Sequence, residues 1–489
     1  MSTPDCDVLV VGCGPVGATL AALLRAKDLS VIAIDREADI YPLPRAGAFD
    51  DEAMRLFQSL GITETLLPLC RVMGGFQFLS ASGETLMKMV MPDRLGPNGW
   101  APTYALHQPE IERVLRDRLV ELGVEIRLNT SLTGLTEQAD GIVADVEGPD
   151  GPGTIAARYV VGCDGANSRV RAIGGGGEFD FGFSESWLVV DGVIEGETDI
   201  PDIATQICDP AQPTTCMRMT GNRYRWEFML KPGDDPEYFT SDATLARLLA
   251  PWYEGERIMV ERRALYSFRG LVANQWRSGR ALLAGDAAHL MPPFLGQGMC
   301  SGLRDAGNLA WKLAAVIRGE ADPELLDTYQ QEREPHVRTI IDQAIGLGRM
   351  ICMLDPAMAA QRDAGLLAMR AAGQMPPPPL LPTLDQGCLM GGPESGALFF
   401  QPLVDGQRLD DILGDGAWLI SAGPLAGHPA TIGHFPIGSD QLAAFNVPLQ
   451  AWLAERNVEA VLVRPDRHVF GIGDGAALAA AWERQMGAA

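Results

Sequence analysis

Three clusters of glycines and carboxylates have spacings that could support chemistry. The first is Gly12-Cys-Gly-Pro-Val-Gly17, a G-x-G-x-x-G string, with Asp35 at the end of the next apolar run. Glycines at those offsets permit a tight turn, close approach of a pyrophosphate and close helix–strand packing. The acid can accept hydrogen bonds from ribose hydroxyls. The second cluster is Cys163-Asp-Gly-Ala-Asn-Ser-Arg169, and the third is Gly285-Asp-Ala-Ala-His-Leu-Met-Pro-Pro293, continued by Gly296-Gln-Gly298. Asp286 follows an apolar run, where a carboxylate is costly unless something hydrogen-bonds it. Gly296 to Cys300 leads into a helix expected to begin near Gly302, and amides at such an N-terminus favour negative charge. His289 lies in the same string with no metal-ligand companion, so a structural role is favoured over a catalytic one.

These residues need elements to hold them. Residues 6–12 form a β-branched run, 15–25 a small-residue helix and 30–35 a second buried strand, which together make a βαβ unit. Residues 158–165 and 280–286 each read as a buried strand ending in a turn, so one parallel sheet is assembled from distant segments. Between them, residues 187–191, 224–230 and 264–268 are short aromatic or β-branched runs suited to a separate, more antiparallel sheet. From Gly302 to about Met353 the pattern is helical, with Asp305, Lys312, Glu332 and Arg338 interrupting apolar faces. Residues 374–382 form a polyproline-like boundary, and a small α/β domain follows. No internal repeat is present.

Composition narrows the field. The 489 residues are 47% hydrophobic and 21% charged, which excludes global disorder and favours two or three domains. Lys and Arg number 39 against 63 Asp and Glu, a net charge of −24 that disfavours nucleic acid and membrane surfaces as partners. The nine cysteines include no C-x₂-C pair, so no zinc site or dithiol motif is indicated. The apolar stretch 8–24 lacks the basic flank of a signal peptide, and a cytoplasmic location is expected.

The three clusters, in this order and at this spacing, resemble the signatures of the class A flavoprotein monooxygenases along the whole chain. The likeness sharpens in Tyr41-Pro-Leu-Pro-Arg-Ala-Gly-Ala-Phe-Asp-Asp-Glu-Ala-Met-Arg55, in Leu326-Asp-Thr-Tyr-Gln-Gln-Glu-Arg333 and in Val463-Arg-Pro-Asp-Arg467. Those strings look like the 3-(3-hydroxyphenyl)propionate hydroxylase branch, akin to phenol hydroxylase. The resemblance implies an α/β fold with a Rossmann-like FAD-binding domain (1–75, 101–180 and 271–350) and a β-sheet substrate domain (76–100 and 181–270). A helix and Pro-rich linker (351–394) would join these to a thioredoxin-like C-terminal domain (395–489). That last domain has only Cys388 near it and no C-x-x-C, so redox activity is not expected; an interaction or homodimer-stabilising role is the family's.

By the same resemblance, NADH or NADPH reduces FAD and O₂ then supplies an electrophilic OH, through a C4a-hydroperoxyflavin, to a small phenolic ring. FAD would be held by Gly12, Gly14, Pro15, Val16, Gly17, Asp35 and Arg36, by Arg45 and Gln108, and by Asp286. Pro293, Gly296, Gly298, Met299 and Cys300 would line the flavin front, with the Pro292 and Pro293 carbonyls toward the substrate. Asp164, with Asn167 and Arg169, belongs to a motif tied to FAD and to the nicotinamide donor, or else forms a structural turn. Deprotonating a phenol makes its ring more electron-rich, so a base is expected near it. Asp50 matches an aspartate of the phenol hydroxylase branch and Tyr266 a substrate-facing tyrosine. The competing readings are a helix cap, with Asp51 the better cap, and an ordinary strand aromatic. A carboxylated substrate would need an Arg, and Arg218, Arg223, Arg225 and Arg269 are the candidates. Other oxygenations on this scaffold, a redox-sensing flavoprotein and a nicotinamide dehydrogenase are the alternatives; a halogenase is disfavoured because W-x-W-x-I-P is absent.

Overall fold

The computed structural model describes residues 4–92, 94–252, 257–375, 381–425 and 427–487. The strand Cys6–Val11 is the centre of the first sheet, flanked in parallel by Val31–Ile34 and Gly151–Gly162. Ala281–Leu283 and Glu125–Arg127 extend the parallel order outward on either side. Val8, Leu9 and Val10 are wholly buried, as a strand covered on both faces requires. Ser131–Gln138 and Gly141–Gly148 add an antiparallel hairpin to Gly151–Gly162.

The crossover helix Pro15–Ala26 begins with proline in its first turn, where a missing N–H costs nothing. It lies against the helix Gly298–Ile317, and glycine makes that contact possible. A Cβ at Gly302 would sit 2.5 Å from a Val16 methyl, and one at Gly285 3.1 Å from it. Val16 is therefore the wedge that sets the distance between the first glycine turn and the third.

The second sheet has eight strands and is antiparallel apart from one pair. Its long members are Glu178–Ile194 and Ile258–Ala273, with Arg223–Met229 beside the former. The sequence runs marked only the most apolar parts of these strands. Polar residues on the other face make each strand look broken when periodicity alone is followed. One face packs Leu188, Val190, Tyr224, Trp226 and Phe228 against Leu245 and Leu248. The opposite face carries Trp187, Val189 and Asp191, then Arg225 and Glu227, then Arg262, Ala264 and Tyr266.

Three expectations are corrected here. The third helix starts at Gly298, not near Gly302, so Gly298, Met299 and Cys300 are its first turn. Asp305, Lys312 and Glu332, expected to interrupt apolar faces, are themselves buried, each in an ion pair. The cap of Asp51–Ser59 is Asp50, which accepts from the Ala53 N–H at 3.0 Å, while Asp51 is already helical.

C-terminal to the helices Asp327–Ile351 and Pro356–Ala371 lies a four-stranded sheet ordered Ile432–Pro436, Ala417–Ser421, Ala460–Val463, Val469–Gly473. The polyproline stretch falls largely on 376–380, outside the described residues. No helix among the described residues is long and apolar enough to cross a membrane.

Candidate functional site

The glycine turns converge on one edge of the first sheet. Gly12 has φ +96°, and a Cβ there would meet the Cys163 carbonyl oxygen at 2.5 Å; one at Gly17 would sit 1.9 Å from the Gly12 carbonyl oxygen. Those two glycines serve packing. Gly14 differs, because a Cβ there would meet nothing within 4 Å. It faces open space of the kind a pyrophosphate fills. Asp35 accepts from the Cys13 N–H at 2.8 Å and the Glu37 N–H at 3.0 Å, with Arg116 at 3.7 Å. Arg36 points to solvent and pairs with Glu37.

Asp286 lies where the chain leaves the first sheet for the second, in the turn Gly285–Ala287 just before the strand His289–Leu290. Its carboxylate has no hydrogen-bond partner among the described residues. Burial pushes it above the usual carboxylate range, partly offset by Arg45, His289 and Arg171. His289 is structural: its Nε2 bonds Asp305 at 2.7 Å, and Asp305 also accepts from Arg333 and from the Gly285 N–H. The first turn at Gly298 has no side-chain cap and no acid, so its N–H groups are open to an anionic edge. The open Gly14 cradle, the unpartnered Asp286 and this uncapped helix start fit an FAD stretched from pyrophosphate to flavin.

Several expected cofactor residues act at one remove. Gln108 spends its Oε1 on the Arg45 and Ala46 N–H groups and its Nε2 on Glu112, so it holds the Arg45 loop. Arg45 itself is exposed at the site. Asp164 accepts from Ser168 Oγ and the Arg169 and Val170 N–H groups, which closes its own turn. Cys300 is buried, with burial pushing its thiol far up.

Asp50, expected beside the substrate, is not a free base. It receives Arg304 and, at 3.2 Å, Gln297; Arg304 also binds Gln297 at 2.8 Å and Glu52 at 2.5 Å. Burial alone would raise Asp50, but the Arg304 guanidinium and these bonds hold it below the usual range. Tyr266 accepts a hydrogen bond from Arg262, whose guanidinium lies 4.9 Å from its ring. Tyr266 and Phe268 stack, and Phe268 and Trp187 meet Phe294, the residue after Pro293. That aromatic wall joins the second sheet to the turn that follows Pro293.

The arginines are committed. Arg225 grips Asp191 through two bonds and donates to the Pro44 and Arg45 carbonyls. Arg262 shares Asp191 and Pro44. Arg223 pairs with Glu261, Arg269 with Asp180, and Arg218 donates to the Gly221 carbonyl. Sequence reasoning missed Arg262, Arg304 and Gln297. Arg262 shared a period-two face with Tyr266, a signal that the alternation in residues 262–268 carried.

Residues 5–344 match the profile of the FAD binding domain family. The chain is 39% identical, over 99% of its length and 95% of the other's, to a "Probable NADH-specific resorcinol 4-hydroxylase" of Rhodococcus jostii (strain RHA1). It is 34% identical, over 95% and 86%, to a "3-(3-hydroxy-phenyl)propionate/3-hydroxycinnamic acid hydroxylase" of Mycolicibacterium smegmatis. In fold it resembles the flavin-dependent monooxygenase PieE, crystallised with FAD and substrate, with a TM-score of 0.81 at 22% identity over 99% of this chain and 100% of the other. Aklavinone-11 hydroxylase aligns over the whole of both chains with a TM-score of 0.78, also at 22% identity.

Proposed function

Since the chain belongs to the single-component FAD-dependent aromatic hydroxylases, we propose that its substrate is a small uncharged phenol of the resorcinol type and its electron donor NADH. The enzyme is a flavin monooxygenase that inserts oxygen into a phenolic ring. Bound FAD, once reduced and exposed to O₂, supplies the oxygen. The protein's own residues bind, orient and exclude water. In this reading Gly14 accepts the pyrophosphate, Arg45 neutralises it, and Asp286 takes a ribityl hydroxyl. The amides of Gly298, Met299 and Cys300 face the flavin edge that becomes negative on reduction. Asp50 shapes the flavin front, and Tyr266 contacts the ring to be hydroxylated.

The observation that carries the choice of substrate is the commitment of every arginine on the inner face of the second sheet. Arg225 and Arg262 are neutralised by Asp191 and spent on the carbonyls of 44–45. A phenylpropionate carboxylate would find no free guanidinium there and would meet Glu227 instead. A neutral dihydroxylated ring meets no such penalty. The greater identity to the resorcinol-named relative agrees with this reading.

We read the C-terminal sheet as thioredoxin-like: it pairs Ala417–Ser421 in parallel with Ile432–Pro436 and antiparallel with Ala460–Val463, with the helix Gly475–Met486 last. Burial pushes the Cys388 thiol up to about 11, which fits a non-redox role. The proposed division is 1–75, 101–180 and 271–350 for FAD, 76–100 and 181–270 for substrate, and 395–489 for this domain. Nine free cysteines suit a cytoplasmic enzyme.

The test is a visible spectrum of the purified protein during NADH addition with resorcinol, phenol or 3-(3-hydroxyphenyl)propionate. We expect a yellow protein bleached fastest with resorcinol, then reoxidised in air with a trihydroxybenzene formed. Faster bleaching and coupled product with the phenylpropionate would overturn the substrate proposal.

A further inference from the structure

We propose that Glu227 faces the substrate hydroxyl and is the general base of the reaction. The strand Arg223–Met229 alternates Tyr224, Trp226 and Phe228 into the outer core with Arg225, Glu227 and Met229 onto the inner face. Glu227 pairs across the sheet with Val189 on one side and Thr215 on the other; beyond Val189, in the same row, is Ala264. One row along are Met229, Trp187 and then Tyr266. Val189, Thr215, Arg225 and Met229 are all buried, yet Glu227, in the middle of the sheet, remains partly accessible. A central position open among closed neighbours lines a cleft. Tyr266, one row along, stacks on Phe268, which in turn meets Phe294.

Its carboxylate has no hydrogen bond or ion pair among the described residues. The charges facing it are Arg225 on its own strand, Asp191 on one neighbour and Arg262 on the strand beyond. Burial raises Glu227 above the usual carboxylate range, Arg225 and Arg262 offset this in part, and Asp191 adds to it. Asp50 lies on the other side of the balance, held low by Arg304. A base works best with a proton affinity near the operating pH, and an acid held low is a poor one. In the step assigned here the substrate O–H bond breaks, its electron pair stays on the phenolic oxygen, and the proton goes to a Glu227 oxygen. As the hydroxylated ring regains aromaticity, its C–H proton passes to solvent water and the oxygen recovers the proton that Glu227 held.

This assignment rests on the phenol reading but not on resorcinol itself. The experiment compares wild-type, Glu227→Gln and Glu227→Asp holoenzymes on whichever phenol the wild type hydroxylates best, across pH and across ring substituents. Glu227→Gln should retain FAD and lower coupled product formation at neutral pH on the order of 100-fold. It should also lose the acidic limb of the kcat profile and favour more acidic phenols. Glu227→Asp should restore part of the rate. Thermal stability gives a second readout. A carboxyl raised in the folded state stabilises less as pH climbs through its folded pKa, so Glu227→Gln should melt at or above the wild-type temperature at pH 8. Unchanged coupled turnover and pH profile in Glu227→Gln would overturn the assignment. So would a fall in rate equal at every pH and for every phenol. A wild type that turns over phenols other than resorcinol would remove only the substrate proposal.

Discussion

Asp50 shows how one side chain can match a motif and still be committed elsewhere. It caps Asp51–Ser59 and lies against Arg304, with Gln297 and Glu52 completing the cluster. A buried pair is costly to break from one side, because the surviving charge loses its partner. Arg304→Leu should therefore cost about 3 kcal/mol or more, read by urea denaturation, and Asp50→Asn in that background should recover part of it. The pH consequence has a definite sign. A carboxyl held low contributes stability that is present above its unfolded pKa and lost as pH falls through the folded one. Asp50 is thus ionised throughout the neutral range, and Asp50→Asn should leave the acidic limb of the kcat profile in place. Loss of that limb in Asp50→Asn would transfer the base role to Asp50.

At the scale of elements, the helix Gly298–Ile317 connects three parts of the molecule. Its first turn is the one proposed to meet the flavin, Asp305 near its middle braces His289 and Arg333, and Lys312 pairs with Glu332 on the helix Asp327–Ile351. Glu332 in turn links that helix to the C-terminal domain: it binds Lys312 at 2.8 Å and Arg464 at 2.7 Å, and Arg464 binds Asp466 at 2.6 Å, all with buried side chains. Trp311 stacks on Trp482 beside this cluster, with ring centroids 5.8 Å apart. Burial would raise Glu332, but Arg464 and Lys312 bring it down to about 2. Its stabilising contribution is accordingly complete above the unfolded value and disappears only as pH falls toward 2. Glu332→Gln leaves two buried cations facing Asp466 alone. It should shift acid unfolding, followed by tryptophan fluorescence, to higher pH and lower the melting temperature at pH 7 by several degrees. An unchanged acid midpoint would show that the lock contributes little.

The whole molecule carries a net charge of −24, and its electron donor is itself an anion. Long-range repulsion of like charges slows encounter and is screened by salt within roughly 10 Å at 0.1 M. The KM for NADH should therefore fall a few-fold between about 20 and 200 mM salt, while the KM for an uncharged phenol stays flat. Salt-independent NADH kinetics would mean that local cations near the donor's path cancel the global field.

Much of the fold was legible because its signals are local. Glycine spacing, short apolar runs and strand-ending turns follow from steric limits on a few consecutive residues, and they marked the parallel sheet, Asp286 and, four residues late, the helix that begins at Gly298. The charges were not legible in this way. Asp305, Lys312 and Glu332 read as breaks in apolar faces because hydropathy counts a residue's own character and not the partner that folding delivers. Arg304 reaches Asp50 across more than two hundred residues of chain, and Arg225 reaches the loop at Pro44 and Arg45 from the second sheet. Glu227 is the opposite case: its strand alternation was visible, but only the packed sheet left its carboxylate without a partner. The sequence by itself determined which backbone turns can cradle a dinucleotide, since that depends on local geometry. Tertiary structure alone decided which charged groups are neutralised and which stay available, because electrostatic pairing depends on distance in space and on burial, and neither is a property of neighbouring residues.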